Sequence, residues 1–436
     1  MEIAAPDRES VILVGCELKR PVSPAAGRGA GLSLEESLDE LAALASAARA
    51  RVAGRLLQQR SRYDPAYLIG KGKVEGLKGL LDRHRADTVI FDDNLSPAQQ
   101  RNIERALDCK VVDRTQLILD IFASRARTRE GKLQVELAQL DYWLPRLGGR
   151  GVELSRLGGG IGTRGPGETK LETDQRKIHQ RIHKIKRDLQ RVRAHRQLHR
   201  SFRQSVPVPT VSLVGYTNAG KSTLFNALTR SDTLASRQLF ATLDPLLRRI
   251  RLPSKREVIL SDTVGFISKL PATLVSAFRA TLEEIGEAQL LLHVIDCSSP
   301  RAEHQRSSVL KVLEELGDSG KPTLEVYNKT DLLEKPPRLP PGDNVLRVSA
   351  LRRRGISGLL ERIDQSIYGD PLVRARFRVG AHQGDLLAQI HAKGRLVRRE
   401  VRDSQVLLEV EAPRSVVEQL RQLAGPSQEP EQGVPR

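Results

Sequence analysis

Aromatic side chains make up only 3% of this 436-residue sequence. That scarcity argues against base stacking as a main binding device, because single-strand binders rely on ring platforms. Cysteine is scarce too. Cys16, Cys109 and Cys297 lie far apart and match neither a metal-ligand nor a CxxC spacing, so they are read as small buried residues. No stretch approaches the apolar length of a membrane span, and the first ten residues carry acids where a targeting signal would be basic and then apolar. A cytoplasmic protein without a membrane span is expected.

Positive charge, by contrast, is abundant. Lys and Arg number 71 against 53 Asp and Glu, a formal +18, which favours a polyanionic partner. The length allows two or three separate cores. The expected class is α/β, in four parts: an N-terminal α/β domain over 1–126, a long antiparallel αα-hairpin over 127–205, a P-loop nucleotide domain over 206–369 and a small α+β domain over 370–436 with a disordered tail.

In the first part, β-rich runs at Val11–Val14, Arg51–Leu57, Thr88–Phe91 and Lys110–Val112 alternate with helical patterns at Ser33–Arg49, Lys71–Arg85, Ser96–Leu107 and Thr115–Ala126. That alternation predicts a parallel sheet with crossover helices, with Ser33 and Ser96 as N-caps. Next comes a seam of Leu133, Leu137, Leu140, Leu144 and Leu147, then a second of Ile178, Ile182, Ile185, Leu189 and Val192. Spacings of three and four predict two helices that bury these stripes against each other. The connecting loop, Gly148–Lys170, holds nine glycines together with Arg150, Arg156, Arg164 and Lys170, a composition that cannot pack a core. Arg176–Arg203 carries eleven Lys or Arg against one acid, Asp188, which points to an anionic partner. His179, His183, His195 and His199 share this segment; with no carboxylate or Cys to complete a metal site, they are read as surface residues. In the last part, Val373–Val379, Gln383–His391, Leu396–Val401, Gln405–Glu411 and Arg414–Leu423 read as β-α-β-β-α.

The chemistry is concentrated in the third part. Strand Thr210–Val214 runs into Gly215-Tyr216-Thr217-Asn218-Ala219-Gly220-Lys221-Ser222-Thr223, which opens a helix, the context a P-loop requires. Its backbone N–H groups wrap phosphates, Lys221 supplies charge to the β- and γ-phosphates, and the Ser222 hydroxyl suits Mg²⁺. Phe240-Ala241-Thr242-Leu243 offers Thr242 as a second metal hydroxyl on a loop that a γ-phosphate can order. Asp262-Thr263-Val264-Gly265 follows strand Glu257–Ser261; Asp262 is placed to hold Mg²⁺ and the Gly265 N–H to contact the γ-phosphate. Lys221, Thr242 and Gly265 are the expected catalytic residues. Asn328-Lys329-Thr330-Asp331 then selects the base. The Asp331 carboxylate can accept from guanine N1–H and its exocyclic amine, whereas adenine would leave that charge unpaired. Ser349-Ala350-Leu351 supplies a backbone N–H for guanine O6. The expected ligands are GTP or GDP with Mg²⁺. Phe266 stands where many such enzymes place a water-orienting glutamine, so slow hydrolysis without a partner is expected.

Tyr67–Lys73, Asp113–Phe122, Gly131–Leu140, Gly162–Glu172, Gly215–Asn226, Phe240–Pro245 and Asp262–Ile267 together resemble the HflX family of ribosome-associated GTPases. The resemblance implies a Ras-like GTPase domain, binding to the large ribosomal subunit and its rRNA, and splitting of stalled or dormant ribosomes by a protein that is monomeric off the ribosome. Leu246 and Leu247 depart from the family, where threonines are usual, and so do Arg352–Arg354, where Thr-Gly-Glu-Gly is common. Two other readings stand beside splitting: a GTP-dependent assembly or regulatory switch, and an RNA-remodelling NTPase.

Overall fold

A computed structural model describes residues 9–19, 33–147, 173, 175–192, 208–230, 240, 246–269, 285–335, 339, 342–367, 372–380, 383–402 and 405–424. The Gly148–Lys170 loop, Thr242 and its neighbours 241 and 243–245, and the C-terminal tail lie outside them. The chain divides into two compact units. The first comprises 1–200 with 236–244 and 268–280, and the second 201–235, 245–267 and 281–436.

Unit 1 is built on four parallel strands, β1 (Ser10–Leu18), β2 (Arg51–Arg60), β3 (Thr88–Phe91) and β4 (Lys110–Asp113), in the order β2-β1-β3-β4. The crossovers are α1 (Leu34–Ala47), α2 (Lys71–His84) and α3 (Pro97–Leu107), and α4 (Arg114–Arg125) leaves the end of β4. Capping boxes start α1 and α3: Ser33 and Ser96 accept from the amides of Glu36 and Gln99, whose side chains return the bond to the cap amide. Apolar residues of β1, α2 and α3, among them Ile12, Val14, Leu77 and Ile103, form one core.

The hairpin is α5 (Arg129–Leu147) and α6 (residues 175–192), and Glu136 of α5 takes a bidentate bond from Arg181 of α6. In α6 the expected stripe holds, with Ile182, Ile185 and Leu189 buried. In α5 it shifts. The five leucines are only half-buried, while Gln134, Val135, Ala138 and Tyr142 are buried. A helix with two apolar neighbours must choose which stripe to bury deepest, and α5 also packs on α4.

Unit 2 contains a six-stranded sheet in the order β10-β9-β8-β5-β7-β6. Its strands are β5 (Thr210–Gly215), β6 (Leu246–Arg251), β7 (Glu257–Asp262), β8 (Leu290–Asp296), β9 (Thr323–Asn328) and β10 (Val345–Arg347), all parallel except β6, which runs antiparallel to β7. Helices α7 (Lys221–Thr229), α8 (Ala302–Glu315) and α9 (Ile356–Ser366) accompany it. The turn between β6 and β7 is tied to α9, because buried Asp364 accepts from the Ser254 amide and hydroxyl and from Arg256. Residues 372–424 give a three-stranded antiparallel sheet, β11 (Leu372–Gly380), β13 (Gln405–Pro413) and β12 (Arg395–Arg402), with α10 (Gly384–Lys393) and α11 (Arg414–Ala424). This is the β-α-β-β-α order read from the sequence. Among the described residues no helix is long and apolar enough to cross a membrane.

Candidate functional site

β5 is flanked by β7 and β8, so its carboxyl end delivers the Gly215–Ser222 loop to the centre of the sheet edge. Gly220 opens α7 with φ +92°, and a Cβ there would collide with the Asn328 amide nitrogen. Glycine is required on both counts. Lys221 is buried, with its ammonium 3.0 Å from Gly215 O and 2.9 Å from Tyr216 O. Burial pulls it down to about 8, and Asp262 opposes that pull.

β7 ends at Asp262, which is fully buried and accepts from the Ser222 hydroxyl at 2.7 Å. Two of the three oxygen donors expected to hold a divalent cation therefore converge, and a hard cation favours such oxygen sets. The donor set fits Mg²⁺. Thr242, the third expected donor, lies outside the described residues, as do Ala241 and Leu243. Phe240 is described and buried, its ring edge-on to Phe122 at 4.6 Å. Thr263 is anchored through its hydroxyl to Leu213 O at 2.6 Å, and Val264 is buried.

Beyond Asp262 the chain continues alongside the loop. Phe266 N donates to Gly215 O (3.1 Å) and Thr217 N donates to Phe266 O (2.7 Å), a parallel bridge centred on Tyr216. Gly265 is squeezed in between: a Cβ there would lie 2.9 Å from both Lys221 Nζ and Thr217 Cα.

The Asn328–Asp331 motif, expected to select the base, closes the other side. Asn328 donates to Ala219 O and accepts from Ala350 N, each at 3.0 Å, so it cross-links the P-loop to the Ser349–Leu351 turn. Asp331 is held by the Ser349 hydroxyl, which in turn accepts from Arg352 N. Lys329, in the left-handed conformation at φ 65°, pairs with Asp296 at 2.6 Å. Leu351 is exposed. Asn218, at φ 61°, completes the loop.

Three residues were not read from the sequence as belonging to the site, although Cys297 was noted as a small buried residue and is only half-buried. Asp296 ends β8 and orients Lys329. Cys297 donates to Asn328 O, and burial with Asp296 nearby pushes its thiol up to about 11, so it stays protonated. His293 is buried in mid-sheet, and burial takes it down to about 4. The continuous apolar run Leu290–Leu292 was the available signal for β8, and the residues at its end follow from it.

Comparison with known proteins agrees with this geometry. Family models match along the chain: GTP-binding GTPase N-terminal over 35–123, GTP-binding GTPase Middle Region over 125–203 and 50S ribosome-binding GTPase over 210–329. The GTPase HflX of Alkalihalophilus pseudofirmus is 48% identical over 390 residues, covering 89% of each chain. That of Caldanaerobacter subterraneus subsp. tengcongensis is 52% identical, covering 84% of this chain and 83% of its own. The Escherichia coli GTPase HflX is 46% identical, covering 82% and 84%. Among solved structures, a GTP-binding protein from Sulfolobus solfataricus in complex with GDP is 26% identical with a TM-score of 0.43, covering 82% of this chain and 98% of its own. With 46–52% identity to these HflX GTPases over more than four fifths of its length, the chain belongs to the HflX family of GTPases, binds guanine nucleotide and hydrolyses GTP.

Proposed function

We propose that this GTPase binds the large ribosomal subunit through its rRNA and uses GTP to split or rescue stalled or dormant ribosomes. The observation that carries the RNA part is α6. Arg176, Lys177, Arg181, Lys184, Lys186, Arg187 and Arg191 are all exposed along it, while its apolar stripe is buried in the hairpin. Such a ridge suits phosphate contacts and shape recognition, which need no aromatic platform. The matched family description, 50S ribosome-binding GTPase, supports the choice of polyanion.

At the nucleotide site, Lys221 and the loop amides bind the phosphates, Gly265 N–H meets the γ-phosphate, and Asp331 reads guanine. Ser222, Asp262 and Thr242 would hold Mg²⁺, which when bound neutralises charge on the β- and γ-oxygens. Phe266 offers no side-chain hydrogen bond to an attacking water, so the free protein turns over slowly and the ribosome accelerates it. Sedimentation of intact ribosomes with the protein and GTP, GDP or a non-hydrolysable analogue tests this, with Lys221→Ala as control. Conversion to subunits with GTP or the analogue is expected. Nucleotide-dependent binding without conversion would favour an assembly or regulatory switch, and activity on protein-free RNA duplexes with ATP would favour an RNA remodeller.

A further inference from the structure

The three-stranded sheet of residues 372–424 has one covered face and one open face. Phe377, Leu408 and Val410 of the sheet share a core with Ile390 of α10 and Leu420 of α11, so both helices lie on the same side. On the other side β11 alternates strictly: Arg374, Arg376 and Arg378 are exposed between buried Ala375, Phe377 and Val379.

Strand pairing extends this pattern across the sheet, because residues paired directly in an antiparallel sheet share a face. Glu411 of the central strand β13 lies opposite Arg374 on one side and Arg395 of β12 on the other; Glu409 lies between Arg376 and Arg398 in the same way. Each outer strand therefore presents arginines, with glutamates between them. Glu411 is 3.6 Å from both Arg374 and Arg395, and Glu400 is 2.6 Å from Arg398. These three arginine side chains are all more than half exposed. Exposed pairs of this kind contribute little to stability, so the carboxylates orient the guanidiniums while a polyanion can still compete for them.

A solvated sheet face asks only for polar side chains, of either sign. This one carries five arginines against Glu400, Glu409 and Glu411, with no lysine and no aromatic ring among its described residues. Lysine would serve solubility equally well; the planar guanidinium fork matches a phosphate with two parallel hydrogen bonds. Alternate residues of β11 stand about 6.8 Å apart, comparable with the step between neighbouring phosphates of an RNA strand. Without rings the face has no platform for unstacked bases. What it fits is the sugar-phosphate backbone of an RNA helix.

We propose that the open face of this sheet is an RNA-contacting surface, distinct from the α6 ridge, that takes the phosphate backbone of an RNA duplex on the arginines of β11 and β12. The inference rests on the reading of this protein as an RNA binder and adds a second surface to it.

Titration of the full chain with a fluorescently labelled RNA hairpin duplex, over a series of KCl concentrations, tests this. Arg374→Gln, Arg376→Gln and Arg378→Gln combined are expected to weaken binding by at least about tenfold and to flatten the slope of log affinity against log salt by about 2, since each lost phosphate contact removes close to one released counterion. The matching triple replacement by Lys should keep the wild-type slope. Lys393→Gln, Arg414→Gln and Arg421→Gln, exposed on the helical side, remove the same charge and should also leave the slope unchanged. Equal flattening by the two Gln variants would overturn the proposal, because net charge would then account for both. An unchanged slope in the β11 variant would overturn it as well. So would undiminished RNA binding beside weakened binding to large ribosomal subunits, which would assign the face to a protein partner. Lys184→Gln with Arg187→Gln on α6 tests the other reading separately: weakening there beside an unaffected β11 variant removes this surface alone, and no weakening in either variant removes both.

Discussion

The Thr217 amide donates to the Phe266 carbonyl at 2.7 Å, so an amide of the Gly215–Ser222 loop is bonded to the segment proposed to meet the γ-phosphate. Gly265, one residue earlier, has no room for a side chain on this side. Gly265→Ala is therefore expected to lower GTP turnover by at least about tenfold while GDP affinity stays within about threefold. Single-turnover hydrolysis and a GDP titration on the same variant check both halves.

Phe266 is buried and presents no polar group to water. Intrinsic hydrolysis is expected on the order of 10⁻³ s⁻¹, the scale of small GTPases awaiting their activator. Adding ribosomes is expected to raise it by at least about tenfold, read as phosphate release. Equal rates with and without ribosomes would remove the case for an activating partner.

Asp331 is fixed by Ser349, whose hydroxyl bonds its carboxylate. Replacing the carboxylate with an amide turns one acceptor into a donor. Asp331→Asn should weaken GTP by about 2 kcal/mol, the range for hydrogen bonds to a charged group, and improve binding of xanthosine triphosphate, which carries an oxygen where guanine has its amine. Ser349→Ala, which leaves the carboxylate but frees its orientation, should cost GTP about 1 kcal/mol. Competition titrations with the two nucleotides distinguish these outcomes.

Much of this arrangement was legible in the sequence where the signal is local. Ser33 with Glu36 and Ser96 with Gln99 declare their helices within four residues, and Gly215–Ser222 declares its loop because one spacing serves one function. Relations across long separations were not legible. Nothing near Arg114 announces that it is buried, because its partners are Glu40, Asp92 and Ser268. β6 was missed because its sequence, Leu246–Arg251, buries only Ile250, and an edge strand of that kind shows no apolar alternation. The α5 stripe was misread because its leucines follow a regular seam while α4 claims the adjacent face.

Arg114 gives a stability test. Its removal leaves Asp92 and Glu40 buried without their guanidinium, a situation that costs about 3–5 kcal/mol. Arg114→Met is expected to lower the urea midpoint of the full chain markedly. The half-exposed Lys269, which also pairs with Asp92, should matter much less to stability, so Lys269→Ala is expected to lie within about 1 kcal/mol of wild type.

Lys221 is expected to carry the pH dependence of nucleotide binding. Burial lowers it to about 8 in the free protein, against an ordinary value of 10.5. The charged form is the one that binds phosphate, so below pH 8 it is ready and above pH 8 binding must first take up a proton. Nucleotide affinity should hold steady up to about pH 8 and then fall, approaching tenfold per pH unit for one linked proton. Stability of the free protein follows the opposite course. The unfolded chain keeps that proton up to 10.5 while the folded chain has lost it, so this residue's contribution rises with pH between those values. A nucleotide that weakens while the free fold firms over the same pH range is a signature that general alkaline unfolding cannot produce. Calorimetric titration at pH 7, 8 and 9 in buffers of different ionisation enthalpy would show proton uptake growing across the series, and Lys221→Met should abolish it.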